Sequence, residues 1–159
     1  MSTMNDVLND WYERVAATQR AHYRSADHFA RKSYWLGIPV IALTTLVGTS
    51  VFATLQKQPA PWLQITVGLA SVAAAILASL QTFLGYSERA EKHRVAGAKY
   101  GALGRELETL RASANTVSDQ AISEVRKRLD TLALESPNNP IWLYQTAWND
   151  QKSKSLGSK

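Results

Sequence analysis

The chain contains no cysteine, so it can have neither a disulfide framework nor a thiolate zinc site nor a cysteine nucleophile. Its three histidines, His22, His28 and His93, lack the i, i+4 spacing with which helical histidines bind a metal. The sequence also lacks a glycine-rich phosphate loop, a GxSxG nucleophile elbow and a carboxylate pair at catalytic spacing. We therefore expect a protein that is not an enzyme and that holds no cofactor and no metal.

Charge is missing from two long stretches of the sequence. The first has about 24 residues, 33–56, and the second about 30 residues, 58–87, with Lys57 between them. Each is longer than the roughly 20 residues that a membrane-spanning helix needs. Tyr34, Trp62 and Tyr86 stand near the ends of these stretches, where aromatic rings prefer the headgroup layer. The pattern predicts transmembrane helices at 34–55 and 62–86, joined by a short external turn at 56–61.

The cations stand beside these stretches rather than inside them. The 18 Lys and Arg against 13 Asp and Glu give a net charge of +5, which on a soluble protein would suggest nucleic acid. Here cations flank both predicted spans, while the turn holds only Lys57, so the positive-inside rule predicts cytoplasmic termini and no nucleic-acid partner. The acidic residues near the start argue against a cleaved signal peptide. The flanking cations are Arg14, Arg20, Arg24, Arg31, Lys32, Arg89, Lys92, Arg94, Lys99 and Arg105.

The segments on either side of the spans have the apolar spacing of cytoplasmic helices. Apolar residues recur at helical intervals over 4–32, which predicts an N-terminal helix. After the second span a heptad pattern follows, so we expect that span to continue without a break to about Arg111. This heptad seam packs either against the chain's own helices or against neighbouring subunits, and we interpret it as a candidate assembly seam. Its residues are Tyr86, His93, Ala96, Tyr100, Leu103, Leu107 and Leu110.

A third cytoplasmic helix is predicted over 117–134. Thr116 and Asp119 resemble a capping box at its start, and it must end before Pro137. A short aromatic element at 140–149 follows, and we expect residues 151–159 to be a disordered tail. The predicted fold is an all-α membrane protein with one domain over 1–150. In it a two-transmembrane helical hairpin carries a cytoplasmic bundle of the N-terminal helix, the extension of the second span and the third helix.

Small and weakly polar residues follow one side of each predicted span. In lipid, such residues let helices approach closely and let hydroxyl groups bond across to a neighbour. In an oligomer, the same residues would line a central, wettable path. Because neither span contains an ionisable residue, a proton-coupled or ion-coupled transporter is disfavoured. This small-residue stripe, a candidate for packing or for a pore, consists of Thr44, Gly48, Gln64, Gly68, Ser71, Ala75, Ala78 and Thr82.

The charged run after the second span carries a family resemblance. Glu91, Lys92, His93 and Arg94, within the stretch 88–110, together with the two-span layout, resemble the SLATT superfamily over nearly the whole chain. The resemblance implies an effector of bacterial conflict or antiphage systems. Such an effector assembles into oligomers and breaches the inner membrane when a partner or nucleotide signal triggers it. It also implies a separate sensor protein: a nucleotidyltransferase, a SLOG protein or a reverse transcriptase.

Two alternatives stay open at this point. The basic residues Arg89, Lys92, Arg94 and Arg105 would suit an anionic nucleotide, although lipid headgroups explain the first three equally well. The hairpin could also merely anchor a helical interaction module that recruits a partner without conducting. The lipid bilayer is a partner in either interpretation.

Overall fold

The computed structural model describes residues 4–54, 60–113 and 118–157, and these residues form five helices with no strand among them. The helices are α1 (Met4–Thr54), α2 (Pro61–Leu84), α3 (Tyr86–Ala112), α4 (Asp119–Glu135) and α5 (Ile141–Gly157). Two helical stretches, 4–50 and 61–112, contain windows apolar enough to cross a membrane. Their apolar windows are 0% and 6% buried, unlike the core helix of a soluble protein. The all-α fold with two transmembrane helices is confirmed.

Helix α1 is longer than the sequence pattern predicts. The predicted cytoplasmic helix at 4–32 and the predicted span at 34–55 are one helix of 51 residues, Met4–Thr54. Pro39 lies inside it. Proline lacks an amide hydrogen, but a helix in lipid keeps the rest of its backbone hydrogen-bonded because no water can replace those bonds. The predicted cytoplasmic helix is thus continuous with the predicted first span.

The expectation of one unbroken helix from the second span to Arg111 is wrong. Helix α2 ends at Leu84 and α3 begins at Tyr86, with Gly85 between them in the left-handed conformation (φ 55°, ψ 34°). The amide of Gly85 donates to the carbonyl of Gln81 at 3.2 Å, which closes the end of α2. Glycine adopts this conformation without the steric cost that a Cβ brings. The helical hydrogen bonding that begins in α2 is therefore interrupted at Gly85.

Helix α4 starts at Asp119, two residues later than predicted, and ends at Glu135. Its cap is Ser118, whose hydroxyl accepts from the amide of Ala121 at 3.3 Å. Thr116, the predicted cap, lies outside the described residues, as do residues 56–59 of the predicted external turn. Ser136 follows α4 in an extended conformation, in keeping with the predicted stop before Pro137.

The predicted aromatic element at 140–149 and the predicted disordered tail belong to a single helix. Helix α5 runs from Ile141 to Gly157, so residues 151–157 are helical, and 158–159 lie outside the described part of the chain. Leu143, Ala147 and Gln151 stand four residues apart and are all buried. The helix continues past residue 150 because this buried face continues.

The chain divides into two compact units. One unit comprises residues 1–28 and 89–159, and we call it the cytoplasmic unit after the location that the sequence predicts for it; the hairpin unit comprises 29–88. The cytoplasmic unit has a hydrophobic core built from α1, α3 and α4, around which α5 is added. Its core residues are Leu8, Val15, Tyr100, Leu103, Leu107, Val125 and Leu132.

The hairpin unit is an antiparallel pair of helices. The rings of Phe29 and Tyr86 stack with centroids 6.1 Å apart. Further along the pair, a Cβ added to Gly37 would lie 3.4 Å from the side-chain amide nitrogen of Gln81. These two contacts join the start of the α1 part to the end of the α2 part, as a tight hairpin requires.

Candidate functional site

The hairpin packs through a face of α2 that lies beside the small-residue stripe. The side chains on this face are half-buried or buried, and they recur alternately every three and four residues. That spacing is the knobs-into-holes pattern of paired helices. Its members are Leu63, Val67, Ala70, Ala74, Leu77 and Gln81. Ala74, at 4% exposed, is the most deeply packed of them.

The small-residue stripe is left mostly uncovered by this packing. Ser71 and Ala78 are half-buried, and the other six stripe residues are exposed. A Cβ added at Gly48 or Gly68 would meet nothing within 4 Å. The hairpin therefore does not consume the stripe in its own packing. The stripe remains a surface of small side chains on the outside of the helix pair.

The hydroxyl groups of the stripe bond to their own helices. Ser71 Oγ donates to the carbonyl of Val67 at 2.8 Å, and Thr82 Oγ1 donates to the carbonyl of Ala78 at 3.1 Å. On α1, Thr44 Oγ1 donates in the same way to the carbonyl of Val40 at 2.8 Å. Each hydroxyl proton is thus satisfied inside hydrocarbon without a second helix. The oxygens keep lone pairs that can accept from water or from another chain.

Next to the stripe, α2 presents a bulky apolar face. Ile65, Leu69 and Ile76 are each more than half exposed, as the lipid-facing side of a transmembrane helix would be. An open groove of about 450 Å³ runs along this side. It is lined by Val72, Ala75, Ile76, Ser79, Leu80 and Phe83. Ala75 therefore belongs both to the stripe and to this groove.

The heptad seam lies in the chain's own core. His93, Ala96, Tyr100, Leu103 and Leu107 are buried in the cytoplasmic unit. The core also leaves Leu110 half-buried, packed against the cluster. Of the two arrangements that the sequence leaves open, the chain uses the seam for its own fold. Assembly between subunits would need another surface.

Tyr86, the first residue of the seam, belongs to the hairpin unit. Its ring stacks on Phe29, and the ammonium of Lys32 lies 5.4 Å from the ring centroid. This cation–π contact joins a cation to an aromatic ring at the cytoplasmic margin of the predicted spans. Tyr86 therefore packs within the hairpin unit and is not part of the heptad core.

The buried centre of the cytoplasmic unit is a pair of histidines. Nδ1 of His22 lies 3.0 Å from Nδ1 of His93, and the two residues are 1% and 3% exposed. One nitrogen must donate and the other accept, so the two rings hold opposite tautomers. The ring of Tyr100 stacks on His22 with centroids 5.3 Å apart. This pairing is not predictable from the sequence, because a separation of 71 residues gives no local signal.

Burial keeps both histidines neutral. Burial, together with a smaller effect of the neighbouring His93, lowers the pKa of His22 to about 4. Burial also lowers the pKa of His93, partly offset by a hydrogen bond with Asn139. Burial raises the pKa of Tyr100, and the nearby hydroxyl of Ser136 partly offsets this effect. The centre is thus an uncharged polar network within an apolar core.

A second set of polar contacts ties α5 and the preceding loop to α1. Ser25 Oγ donates to Oδ1 of Asn139 at 2.9 Å. Arg24 forms an ion pair with Asp150, and Arg20 donates to the side chain of Gln151. These contacts explain why the polar end of α5 is helical although its sequence looks like a tail.

The residues of the charged run after the second span separate into two roles. His93 is the buried member described above. Glu91 and Arg94 form an exposed ion pair at 2.9 Å, the kind of pair that contributes at most about 1 kcal/mol. Lys92, like Arg89 and Arg105, is exposed on the surface of α3. The resemblance in sequence therefore rests on one core residue and on solvent-facing charges.

The described residues contain no group of three or more side chains able to hold a metal ion. A cavity of about 330 Å³ lies between α1, α3 and α4, with Trp11, Arg14 and Arg126 among its lining residues. The four basic residues considered for nucleotide binding, Arg89, Lys92, Arg94 and Arg105, do not line it. The structure therefore does not gather them around this cavity.

Comparison with known proteins identifies the family. Residues 4–139 match the SMODS and SLOG-associating 2TM effector domain family 4. Neither the curated proteins nor the solved structures yield a match. The match covers α1, α2, α3, α4 and the loop that carries Asn139. Since it covers most of the chain, the protein belongs to this family of the SLATT superfamily, whose members are two-transmembrane effector domains of conflict systems.

Proposed function

We propose that the protein is a membrane effector of a bacterial antiphage system, which assembles in the inner membrane and opens it when a partner or a nucleotide signal triggers it. The observation that carries this proposal is the small-residue stripe, which the hairpin's own packing leaves uncovered. A hairpin that serves only as an anchor needs the face that packs its two helices together, but it does not need an additional uncovered face of small residues.

Several copies are needed because two helices cannot enclose a channel. Small side chains let helices from different chains approach closely in lipid. The groove that includes Ala75 would accept a neighbouring helix, which brings stripe residues such as Ser71 toward the centre of a ring. The self-bonded hydroxyls can then accept hydrogen bonds from water in a lumen without first losing a partner. The resulting path is weakly polar and uncharged.

Leucine substitutions on two sides of α2 test the proposal. Ser71→Leu and Ala75→Leu place bulk on the stripe, whereas Ala73→Leu makes the same change on the opposite, exposed side. The protein is induced in a bacterial host together with its genomic neighbours and the trigger, and membrane potential and propidium entry are recorded. We expect depolarisation with the wild type and with Ala73→Leu, but not with the two stripe variants. All variants should remain in the membrane fraction.

Depolarisation that persists in both stripe variants would remove the stripe from the mechanism. An intact membrane under every condition, with the wild type correctly inserted, would contradict pore formation altogether. In that case the hairpin would serve as an anchor.

The anchored interaction module is the second candidate function, and the self-contained core of the cytoplasmic unit favours it. A unit with its own core can recruit a partner, such as a separate sensor protein, without help from the spans. Replacing residues 34–55 and 62–86 with an unrelated transmembrane hairpin distinguishes the two candidates. An anchor would keep its effect on the cell, and a pore would lose it.

A further inference from the structure

The cavity of about 330 Å³ between α1, α3 and α4 lies entirely within the cytoplasmic unit. Four of its lining residues fall within 11–18 of α1 and four within 126–133 of α4, and both sets have the spacing i, i+3, i+4 and i+7 of one helix face. Tyr100 of α3 completes the lining. Seven steps of 1.5 Å along a helix make the cavity about 10 Å long. We call it the α1–α4 cavity.

The inner wall of the α1–α4 cavity is apolar and aromatic. Val15 and Tyr100, at 2% and 6% exposed, belong to the hydrophobic core of the unit. Trp11 and Leu129 are half-buried and pack against that core. Such a wall offers a planar ring an apolar surface to lie on.

The mouth of the cavity carries charge, because its lining residues Arg14, Arg126 and Asp130 are exposed. Tyr12 and Arg128 bond to two carboxylates of α3 that stand only two residues apart. Arg14 and Arg126 are each two residues from one of these contacts, so both lie toward the same end of the cavity. Asp130 stands about one turn further along α4 than Arg126.

These charges are poorly matched by the chain itself. Arg14 pairs with Asp10 at 2.8 Å, an exposed contact that a ligand can replace at little cost. Among the residues that the structure describes, neither Arg126 nor Asp130 has an ion-pair partner. A second groove, between α3 and α4, differs in that ion pairs between the two helices line it. The α1–α4 cavity therefore has charges left over for a ligand.

The size and chemistry of the cavity define the class of ligand. Its volume is near the lower limit of the roughly 300 to 1,000 Å³ of small-molecule sites, and a partner helix, about 10 Å across, is too wide for it. Guanidinium groups bind phosphate, and a carboxylate accepts from N–H donors. The matching ligand has a phosphate at one end and a planar ring with N–H groups at the other.

We propose that the α1–α4 cavity binds a nucleoside monophosphate. Arg126 and Arg14 hold the phosphate, the base lies against the apolar wall, and Asp130 accepts from the N–H groups of the base. Guanine presents two N–H donors side by side, so Asp130 favours GMP over the other nucleotides. Only the role of this ligand as a trigger rests on the proposed function, because binding itself requires no pore.

Calorimetric titration of the purified full-length protein in detergent tests the proposal. The ligands are GMP, AMP, CMP and UMP, with guanosine as the ligand that lacks the phosphate. The variants Arg126→Gln and Asp130→Asn change exposed residues of the cavity. The matched control is Lys127→Gln, which removes the neighbouring cation of α4, a residue that lines the other groove. Circular dichroism checks that each variant keeps its helices.

We expect GMP to bind most tightly, and we expect Arg126→Gln to weaken it about tenfold or more while Lys127→Gln leaves it unchanged. Guanosine should bind more weakly than GMP and should not respond to Arg126→Gln. Asp130→Asn should reduce the preference for GMP over AMP.

No binding of any of the four nucleotides at about 1 mM would overturn the proposal. Equal weakening by Arg126→Gln and Lys127→Gln would also overturn it, because it would indicate attraction to the net charge of the protein and not a site. Since the titration uses neither genomic neighbours nor a membrane potential, a failure to bind is distinct from a failure to depolarise the cell.

Discussion

At the scale of single residues, the stability of the cytoplasmic unit depends on the histidine pair. A buried imidazole must be neutral or paired with a negative charge, and His22 and His93 contact each other and neutral neighbours such as Asn139. Their hydrogen bond holds α1 against α3 in the middle of the cytoplasmic unit. Its strength depends on both rings remaining uncharged.

We expect the cytoplasmic unit to lose stability as the pH falls from about 6.5 to about 4. Above pH 6.5 His22 is neutral in both the folded and the unfolded chain, so its effect on stability is constant. Below that value His22 takes up a proton in the unfolded chain, whereas in the folded chain it stays neutral until the pH falls to about 4. The free energy of unfolding then falls by up to about 1.4 kcal/mol per pH unit. Thermal unfolding in detergent, followed by tryptophan fluorescence, measures the change.

The variant His22→Asn separates this effect from the titration of carboxylates. Asparagine can replace the Nδ1 hydrogen bond to His93 but cannot be charged, so its unfolding midpoint should fall less between pH 7 and pH 5.5. His28→Asn, a change at the unit's other α1 histidine, should keep the wild-type pH dependence. Identical pH profiles for the wild type and His22→Asn would contradict the role given to the pair.

At the scale of the elements, the helix that the sequence predicts to run from the second span to Arg111 is divided into α2 and α3. Pro39 lies within α1, whereas Gly85 separates α2 from α3. Proline removes one hydrogen bond but still fits helical dihedrals, while Gly85 is the one residue with positive φ among those described. The position of the break is set by backbone conformation and not by the absence of an amide hydrogen.

Two glycine-to-alanine substitutions should change stability in opposite directions. Gly85→Ala places a Cβ on a left-handed residue and should cost about 1 kcal/mol. Gly104 lies inside α3, where an added Cβ would meet Val15 at an ordinary 3.6 Å, so Gly104→Ala should gain about 0.5 to 1 kcal/mol. Circular dichroism during thermal unfolding in detergent measures both. A stabilising Gly85→Ala would mean that the break is not required by the fold.

The elements also show which parts of the fold can be predicted from the sequence. The two spans are predictable, because 24 uncharged residues in a row have one physical explanation. The heptad seam is predictable as an apolar face, but the partner of that face is not, since a spacing does not say which helix fills it. The extent of α5 is not predictable, because Gln151 and Asp150 gain their contacts from Arg20 and Arg24, more than 120 residues away. The histidine pair depends on a contact of the same kind.

At the scale of the whole molecule, one unit buries its large apolar side chains and the other exposes them. The cytoplasmic unit hides leucines such as Leu8 and Leu107 completely, while the hairpin unit exposes Trp35 and Phe83 by more than 80%. Exposed apolar surface of this extent is stable only in lipid. The small-residue stripe is therefore presented to lipid or to another copy of the chain.

The composition of the cytoplasmic unit leads to a prediction about topology. Residues 4–28 and 89–157 pack into one unit, so both must lie on the same side of the membrane. The cations beside the spans then select the cytoplasmic side, because only Lys57 stands in the opposite turn. We expect a cysteine introduced as Ser153→Cys to react with an impermeant maleimide in inverted membrane vesicles and not in intact spheroplasts. Lys57→Cys should show the reverse.

Reaction of Ser153→Cys in intact spheroplasts would place the cytoplasmic unit outside the cell, where a cytoplasmic sensor could not reach it. Reaction of both cysteines from the same side would mean that the hairpin does not span the bilayer. The exposed apolar surface of α2 would then need a protein partner to cover it. Because the chain lacks native cysteine, each labelling signal comes from the introduced residue alone. The positions of the cations predict which side of the membrane the termini occupy, and the packed core predicts that both termini occupy the same side. The experiment tests these two predictions separately.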